Sequence, residues 1–377
     1  MSQLLEEHRH YLADEARLRK YAAAIAHGVQ PGDVVIDLGA GTGILGLLAL
    51  RAGARRVYAI DASPALTLAR AVVAGNGLAD RVVFIRERST RAQLPELADV
   101  VVADQLGAFG YGAGVLEYFA DARARLLKRS GRIIPSTLTF LVAPVQSRAC
   151  RARAGWWNRS VAGFSLAAVE EIAGATSHAV NIGPEDLVAP AVSGATLPCD
   201  ENPPVLRIAA STTATRDAAI DGVGAWFEAD LGGGIMMTNS PTARDRIDRE
   251  QLFYPFPQPV AARPGDRVDI SLTIRPGEMV SQWSVTVRDA SDTVRDSRTN
   301  SSLAGLLVGA ADLARSHPAV HPVLSEWGRA RQLVLELCDG TRSVQAIEDA
   351  VALRFPDLFR DHNAASRFVA ESLDAAV

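Results

Sequence analysis

Val35-Ile36-Asp37-Leu38-Gly39-Ala40-Gly41-Thr42-Gly43 decides the fold of this chain. The stretch opens as a β-branched, apolar run, closes on three alternating glycines, and passes straight into an apolar segment beginning at Ile44. A buried strand that turns through a glycine-rich loop into a helix is the first half of a βαβ unit. Glycines at such a turn let the backbone approach a ligand closely, and the helix that follows offers N–H groups with no intrahelical partner. Residues 57–60, 82–85 and 100–103 are further short, β-branched runs, set between helical stretches such as 45–52 and 64–76. This alternation predicts an α/β domain with a doubly wound, Rossmann-like parallel sheet.

The glycine spacing is Gly-x-Gly-x-Gly, and Ile44 stands where a dinucleotide fingerprint would place its last glycine. The pyrophosphate of a nicotinamide or flavin cofactor is therefore disfavoured against the smaller S-adenosylmethionine. A turn with no ligand is the other alternative, and the agreement of strand, loop, helix and acid weighs against it. The candidate cofactor residues are Asp37, Gly39, Ala40, Gly41, Gly43 and Leu45 around the loop, with Asp61 and Ala62 at the end of the second strand. An acid at the position of Asp61 can accept hydrogen bonds from both ribose hydroxyls. Ser89 and Thr90 follow the third strand, where adenine contacts are expected in this topology, although polar residues after a strand are also common without a ligand. Asp104 ends the fourth strand, and ligands bind at the carboxyl ends of strands at the switch point.

After Pro144 the pattern changes to alternating or β-branched segments separated by Pro, Gly and Asp, with Pro264-Gly265-Asp266 as a turn, which predicts an antiparallel β domain. From about Leu303 the chain becomes helical again, with Ser343 as a cap and Ile347, Val351 and Phe355 at helical spacing. The expected division is 1–141, 142–302 and 303–377. With 377 residues, 48% hydrophobic and 22% charged, the chain has the composition of a globular protein. A net charge of -4 gives no steering toward nucleic acid. No apolar run approaches the roughly 18 residues of a membrane span, and the polar start from Met1 to Arg19 is no signal peptide. Cys150, Cys199 and Cys338 lie too far apart for a disulfide framework or a zinc site, so a reducing cytoplasm and no metal are expected. Lysine occurs only at Lys20 and Lys128, with arginine in its place elsewhere, as in proteins of GC-rich bacterial genomes.

Several motifs resemble the protein arginine methyltransferases, which are class I S-adenosylmethionine enzymes. His8-Arg9-His10-Tyr11-Leu12-Ala13-Asp14-Glu15-Ala16-Arg17, with Tyr21 and Ile25, is similar to the family's N-terminal helix, which folds over the cofactor. The resemblance implies that Arg17, otherwise an ordinary solvated charge, pairs with the cofactor's methionine carboxylate. Gly131-Arg132-Ile133-Ile134-Pro135-Ser136 resembles the family's link from sheet to β-barrel, and Gly224-Ala225-Trp226-Phe227 and Thr238-Asn239-Ser240-Pro241 resemble the barrel itself. The family grips its guanidinium with two glutamates. Here the first is Asp104 and the second is Ala113, while Glu117 lies one helical turn further on. The family's Thr-His-Trp loop, whose His pairs with the acid matching Asp14, falls near Arg246-Ile247-Asp248 and is absent. A planar guanidinium suits a paired carboxylate clamp, and losing half of it argues against arginine as the acceptor.

The tail from Pro322 to Leu373 resembles the PqqD-like, winged-helix peptide-recognition domain, which implies a precursor peptide as partner. The two resemblances together imply a tailoring methyltransferase of ribosomally made peptides, of the daptide type, that dimethylates a terminal amine. An arginine methyltransferase with an altered clamp and a catalytically silent, cofactor- and peptide-binding scaffold are the rival readings. For an amine acceptor the catalytic candidates are Asp104, with Glu117, Tyr11 and Tyr111 as weaker ones, while His8 and His10 read as packing or surface residues. The parent family also implies a homodimer, although no clear dimer arm is visible in the sequence.

Overall fold

The computed structural model describes residues 2–278 and 280–374. The chain divides into two compact units, Met1–Leu306 and Leu307–Val377.

The first unit opens with helices α1 (Ser2–Ala13) and α2 (Glu15–Gly28). Asp14 stands between them and caps α2, its carboxylate accepting the Arg17 N–H at 3.0 Å. Arg17, Tyr21, Ala24 and Ile25 are the buried residues of α2, and their spacing of three and four puts them on one face. Then follow β1 (Val34–Leu38), α3 (Ile44–Arg51), β2 (Arg56–Ile60), α4 (Ala65–Gly75), β3 (Val82–Ile85), β4 (Ala98–Ala103), α5 (Val115–Arg125) and β5 (Leu127–Ile134). The five strands are parallel, in the order β3-β2-β1-β4-β5. All five residues of β1 are buried, which is why that strand reads as a continuous rather than alternating run. Chain order reverses on either side of β1, so a crevice opens at the carboxyl ends of β1 and β4.

Strand β6 (Thr137–Val145) already belongs to the antiparallel part, pairing with Val192–Pro198 and Ala218–Asp230. The change of sheet therefore falls at Pro135-Ser136, ahead of the expected boundary at 141/142. The same sheet continues through Gln251–Ala262 to His178–Val180. A second antiparallel sheet is made by Leu206–Thr213, Arg267–Arg275, Val280–Arg288 and Val294–Ser301. The hydrogen-bonded ladders fall into these two sheets. They share a core in which Tyr254 and Trp283 lie 5.3 Å apart and Trp283 Nε1 donates to the Pro255 carbonyl at 2.8 Å. Val268, Ile270, Leu272 and Ile274 alternate into that core, the period that marked this region as β in the sequence.

The second unit contains helices Ala310–Ser316, Glu326–Leu337, Val344–Arg354 and His362–Asp374. Ser325 and Ser343 cap the second and third of these, accepting N–H groups of Gly328 and Ala346. Ala330, Val334, Ile347, Val351, Ala365 and Val369 form its core. Among the described residues this unit has no strand, so the wing of the expected winged helix is missing. The Asp339 side chain accepts the Thr341 N–H at 2.9 Å and turns one helix directly into the next, leaving no length for a hairpin. No described helix is long and apolar enough to cross a membrane.

Phe119 lies on the sheet-facing side of α5 and is fully buried with Val115, Leu116 and Ala122. Phe119→Ala is expected to lower the stability of the first unit by about 3–5 kcal/mol, the cost of a large core truncation. Urea unfolding measures this, and a loss below about 1 kcal/mol would contradict the assigned packing of α5 on the sheet.

Candidate active site

A cavity of about 790 Å³ lies in the crevice at the carboxyl ends of the parallel strands. Its floor is the glycine loop. Gly39, Gly41 and Gly43 have φ of +65°, +54° and +78°, a region that a side chain disfavours. A Cβ at Gly39 would stand 1.8 Å from Gln105 Nε2, and one at Gly41 2.8 Å from His8 Cε1. The loop is held by backbone bonds from Gly39 to the Ile60 carbonyl (2.9 Å) and from Gly43 to the Ala40 carbonyl (2.7 Å). Asp37 is buried beneath it and accepts the Gly46 N–H at 2.8 Å, fixing the first turn of α3. Burial pushes the Asp37 carboxyl up to about 7. Leu45 is buried and lines the cavity.

Asp61 ends β2 at one side of this floor. One of its oxygens accepts the Gly41 N–H at 2.8 Å and the other the Ser63 N–H at 2.7 Å, so the acid shapes the loop as well as lining the cavity. Ala62, Ser89 and Thr90 line an adjoining hollow of about 400 Å³. Gly39, Asp61, Ser63, Gln105 and Tyr118 border both spaces, so the expected ribose and adenine residues are brought together.

At the other end Asp104 is buried among cations. Arg17 Nε donates to its Oδ2, Arg249 Nη2 donates to the same oxygen at 3.2 Å, and the Tyr21 hydroxyl lies 3.2 Å from Oδ1. The side chains of Asp104, Arg17 and Arg249 are 6%, 7% and 12% exposed. Burial opposes ionisation of Asp104, but Arg249 and Arg17 outweigh it and hold the carboxyl below the usual carboxylate range. Tyr11 covers this cluster, its ring centre 5.8 Å from the Arg17 guanidinium and 5.9 Å from that of Arg249, and its carbonyl accepts from Arg17 Nη1.

Two weaker candidates lie elsewhere. Glu117 does not reach Asp104. Helix α5 starts only at Val115, and its apolar residues Val115, Leu116 and Phe119 take the sheet side, so Glu117 is turned to the hollow beside Ser89 and Thr90. Tyr111 packs on Phe109 and meets the Tyr254 hydroxyl at 3.5 Å, within the core shared with the antiparallel sheets. Ala113 does line the cavity.

Arg249 was not singled out from the sequence. It follows Arg246-Ile247-Asp248, the segment that takes the place of Thr-His-Trp, and that adjacency was its only signal. The backbone of this segment does what the missing His would do, since the Asp248 N–H donates to the Asp14 carboxylate at 2.9 Å. Asn239, from Thr238-Asn239-Ser240-Pro241, is fully buried and donates to the carbonyls of Ala108 and Glu250, both at 2.8 Å. One amide thus ties the glycine-rich loop after Asp104 to the strand that follows Arg249.

Comparison with known proteins agrees with this geometry. A family model for ribosomal protein L11 methyltransferase (PrmA) matches residues 21–141. The chain is 29% identical to protein arginine N-methyltransferase 6 of Xenopus laevis over 262 residues, covering 66% of this chain and 77% of that one. It is 34% identical to a probable protein arginine N-methyltransferase 6 of Arabidopsis thaliana over 168 residues, or 44% of this chain and 39% of that one. Among solved structures it resembles the Trypanosoma brucei PRMT1 enzyme–prozyme heterotetrameric complex with AdoHcy, with a TM-score of 0.69 at 20% identity, over 78% of this chain and 97% of that one. Protein arginine methyltransferase 10 of Arabidopsis thaliana gives a TM-score of 0.68 at 22% identity, over 79% and 97%. The chain is an S-adenosylmethionine-dependent methyltransferase with the fold of the protein arginine methyltransferases. Its cavity suits that cofactor, with a floor that side chains would obstruct, an acid at one side and an arginine at the other.

Asp61→Ala removes the acceptor of the Gly41 and Ser63 N–H groups together with the acid expected at the ribose. S-adenosylhomocysteine should bind more weakly by about 1–3 kcal/mol. Unchanged affinity by calorimetry would overturn the assignment of Asp61.

Proposed function

We propose that this S-adenosylmethionine-dependent methyltransferase methylates an amine of a ribosomally made peptide, a terminal amine as in daptide biosynthesis, rather than the guanidinium of arginine. One observation carries the reading. Asp104, the carboxylate proposed to meet an acceptor, is neutralised by the chain's own Arg17 and Arg249, and Ala113, which aligns with the second glutamate of the arginine methyltransferases, lines the same cavity. A cation entering this end of the cavity finds the one carboxylate already paired with the guanidinium of Arg249.

The bound cofactor supplies an electrophilic methyl group. The chain's own task is to present a neutral nitrogen to it in line. An amine that donates one N–H to Asp104 keeps its lone pair free for attack. The positive charge that grows on nitrogen as the bond forms is then opposed by a carboxylate already in place. A carboxyl held below the usual range is a poor base, so the acceptor must give up its ammonium proton before it reaches Asp104. Tyr11 forms the wall over Asp104, and Gly107 and Ala108 of the adjoining glycine-rich loop line the same cavity.

The tail unit is proposed to hold the peptide away from its reacting end. A reducing cytoplasm is the proposed setting. Homodimerisation is proposed as well, supported by the exposed Trp156, Trp157 and Phe164. Arginine methylation stays as a second reading because Glu250 and Asp248 also line the cavity and the relatives named above are arginine methyltransferases.

Labelled methyl transfer tests the proposal. Asp104→Asn is expected to lower kcat on the order of a hundredfold, as for loss of one transition-state contact, with a much smaller effect on cofactor affinity. Removal of residues from 307 onward should raise KM for a leader-bearing peptide and leave kcat unchanged. An Asp104→Asn kcat close to wild type would remove Asp104 from the mechanism. Equal KM for leader-bearing and leaderless peptides, with and without the tail, would remove the tail from recognition.

A further inference from the structure

We infer that Arg249 acts as a built-in guanidinium that occupies the cation site of Asp104, and so makes the site accept a neutral nitrogen and reject a charged one. The observations are geometric. Arg249 is nearly buried and donates to both oxygens of Asp104, with Nη2 at 3.2 Å from one and 3.5 Å from the other. Its Nη1 reaches the Gly107 carbonyl at 3.5 Å. Its other charged and titratable neighbours are Tyr21 and Arg17 on α2, which share Asp104, and Tyr11 on α1, whose ring lies against it. Further out, Glu7 and His8 on α1, with Asp248 and Glu250 on either side of Arg249 in sequence, line the same cavity, and His10 stands 4.0 Å from Asp248.

Charge decides what such a site can hold. With the cofactor's carboxylate at Arg17, as the resemblance implies, Arg249 and Asp104 are left as a closed ion pair that offers no uncompensated negative charge to an incoming cation. The acids Glu7, Asp248 and Glu250 are exposed. A peptide ammonium is attracted to these acids, and beyond them it approaches like charge at short range. A neighbouring cation disfavours the protonated form of an amine, so the nitrogen sheds its proton to solvent as it moves inward. A guanidinium cannot do the same, because it stays protonated at any accessible pH. Arg249 therefore discriminates between acceptors by their ability to lose a proton. It is a positioning residue: it acts on the acceptor through Asp104 and through its own charge.

The inference rests on the amine reading in its pH arm alone. Binding is measured first, by calorimetry on the full-length protein loaded with S-adenosylhomocysteine, with methylguanidinium and an arginine-containing peptide as probes. Removing the internal cation should expose Asp104, so R249M is expected to bind both probes about tenfold more tightly than wild type, the scale of one charge-assisted hydrogen bond. R249Q keeps a donor to Asp104 without the charge and carries the same expectation, which covers the case of R249M failing to fold. R249K should stay close to wild type, and R249M combined with D104N should lose the gain. Probe affinity that is unchanged in a folded R249M or R249Q overturns the inference. The second arm follows kcat against pH at saturating concentration of a peptide with a free terminal amine, since kcat reports the ionisations of the bound complex. The acid limb in R249Q should move to higher pH by about one unit, because the acceptor's ammonium is no longer destabilised. A purely structural role for Arg249 would lower activity without moving that limb, and an unmoved limb overturns the inference. If wild type methylates no amine, the amine reading fails and the binding arm alone decides the role of Arg249.

Discussion

A buried carboxylate must be matched by positive charge or neutralised, and Asp104 is the place where this chain meets that demand. The acid lies just past the end of β4, in the crevice of the parallel sheet. Its partners come from α2, through Arg17 and Tyr21, and from the antiparallel part, through Arg249. Three distant parts of the sequence are pinned to one another at one end of the cavity. Removing one partner of such a group typically costs about 3–5 kcal/mol, so the cluster constrains how α2 and the strand after Arg249 can sit. Asp14 and Asn239 reinforce the same junction from either side, one holding the Asp248 N–H and the other the carbonyls of Ala108 and Glu250.

The cofactor end obeys a different constraint, which is closeness of backbone. The positive φ angles of the glycine loop disfavour side chains there, and a Cβ at Gly39 or Gly41 would run into Gln105 or His8. Asp37 and Asp61 brace that loop from below and from the side, each through backbone N–H groups. The two ends of the cavity thus differ in kind: one is shaped by main-chain geometry, the other by buried charge. Methyl transfer needs both, a fixed donor position and an acceptor in the right protonation state.

The sequence was most legible where the determinants are local. The run from Val35 to Gly43 carries strand, turn and helix within a few residues, and the parallel sheet could be read from it together with the alternating segments that follow. Arg249 could not, because its partner lies 145 residues earlier and no periodicity or motif connects them. Glu117 shows a limit of a different sort. One helical turn from Ala113 does not fix where Glu117 points; α5 begins after Gly114 and its apolar face sets the phase, which turns Glu117 toward the adjoining hollow. In the antiparallel part the alternation was legible, yet alternation does not say how the ladders group, and they fall into two sheets over a shared core. The tail's helices followed from Ser343 and the spacing of Ile347, Val351 and Phe355. The wing of the expected winged helix did not follow, since the described residues of this unit form no strand.

What unites these features is a site that carries its own guanidinium, so that the acceptor is chosen by whether it can become neutral. The most direct measurement uses one peptide with both a free terminal amine and an internal arginine, incubated with the protein and S-adenosylmethionine and sequenced by tandem mass spectrometry. The expected result is one or two methyl groups on the terminal nitrogen and none on the arginine. A methyl group on a guanidinium nitrogen, with the terminal amine unmodified, would contradict the assignment of the acceptor and the role given to Arg249 beside Asp104.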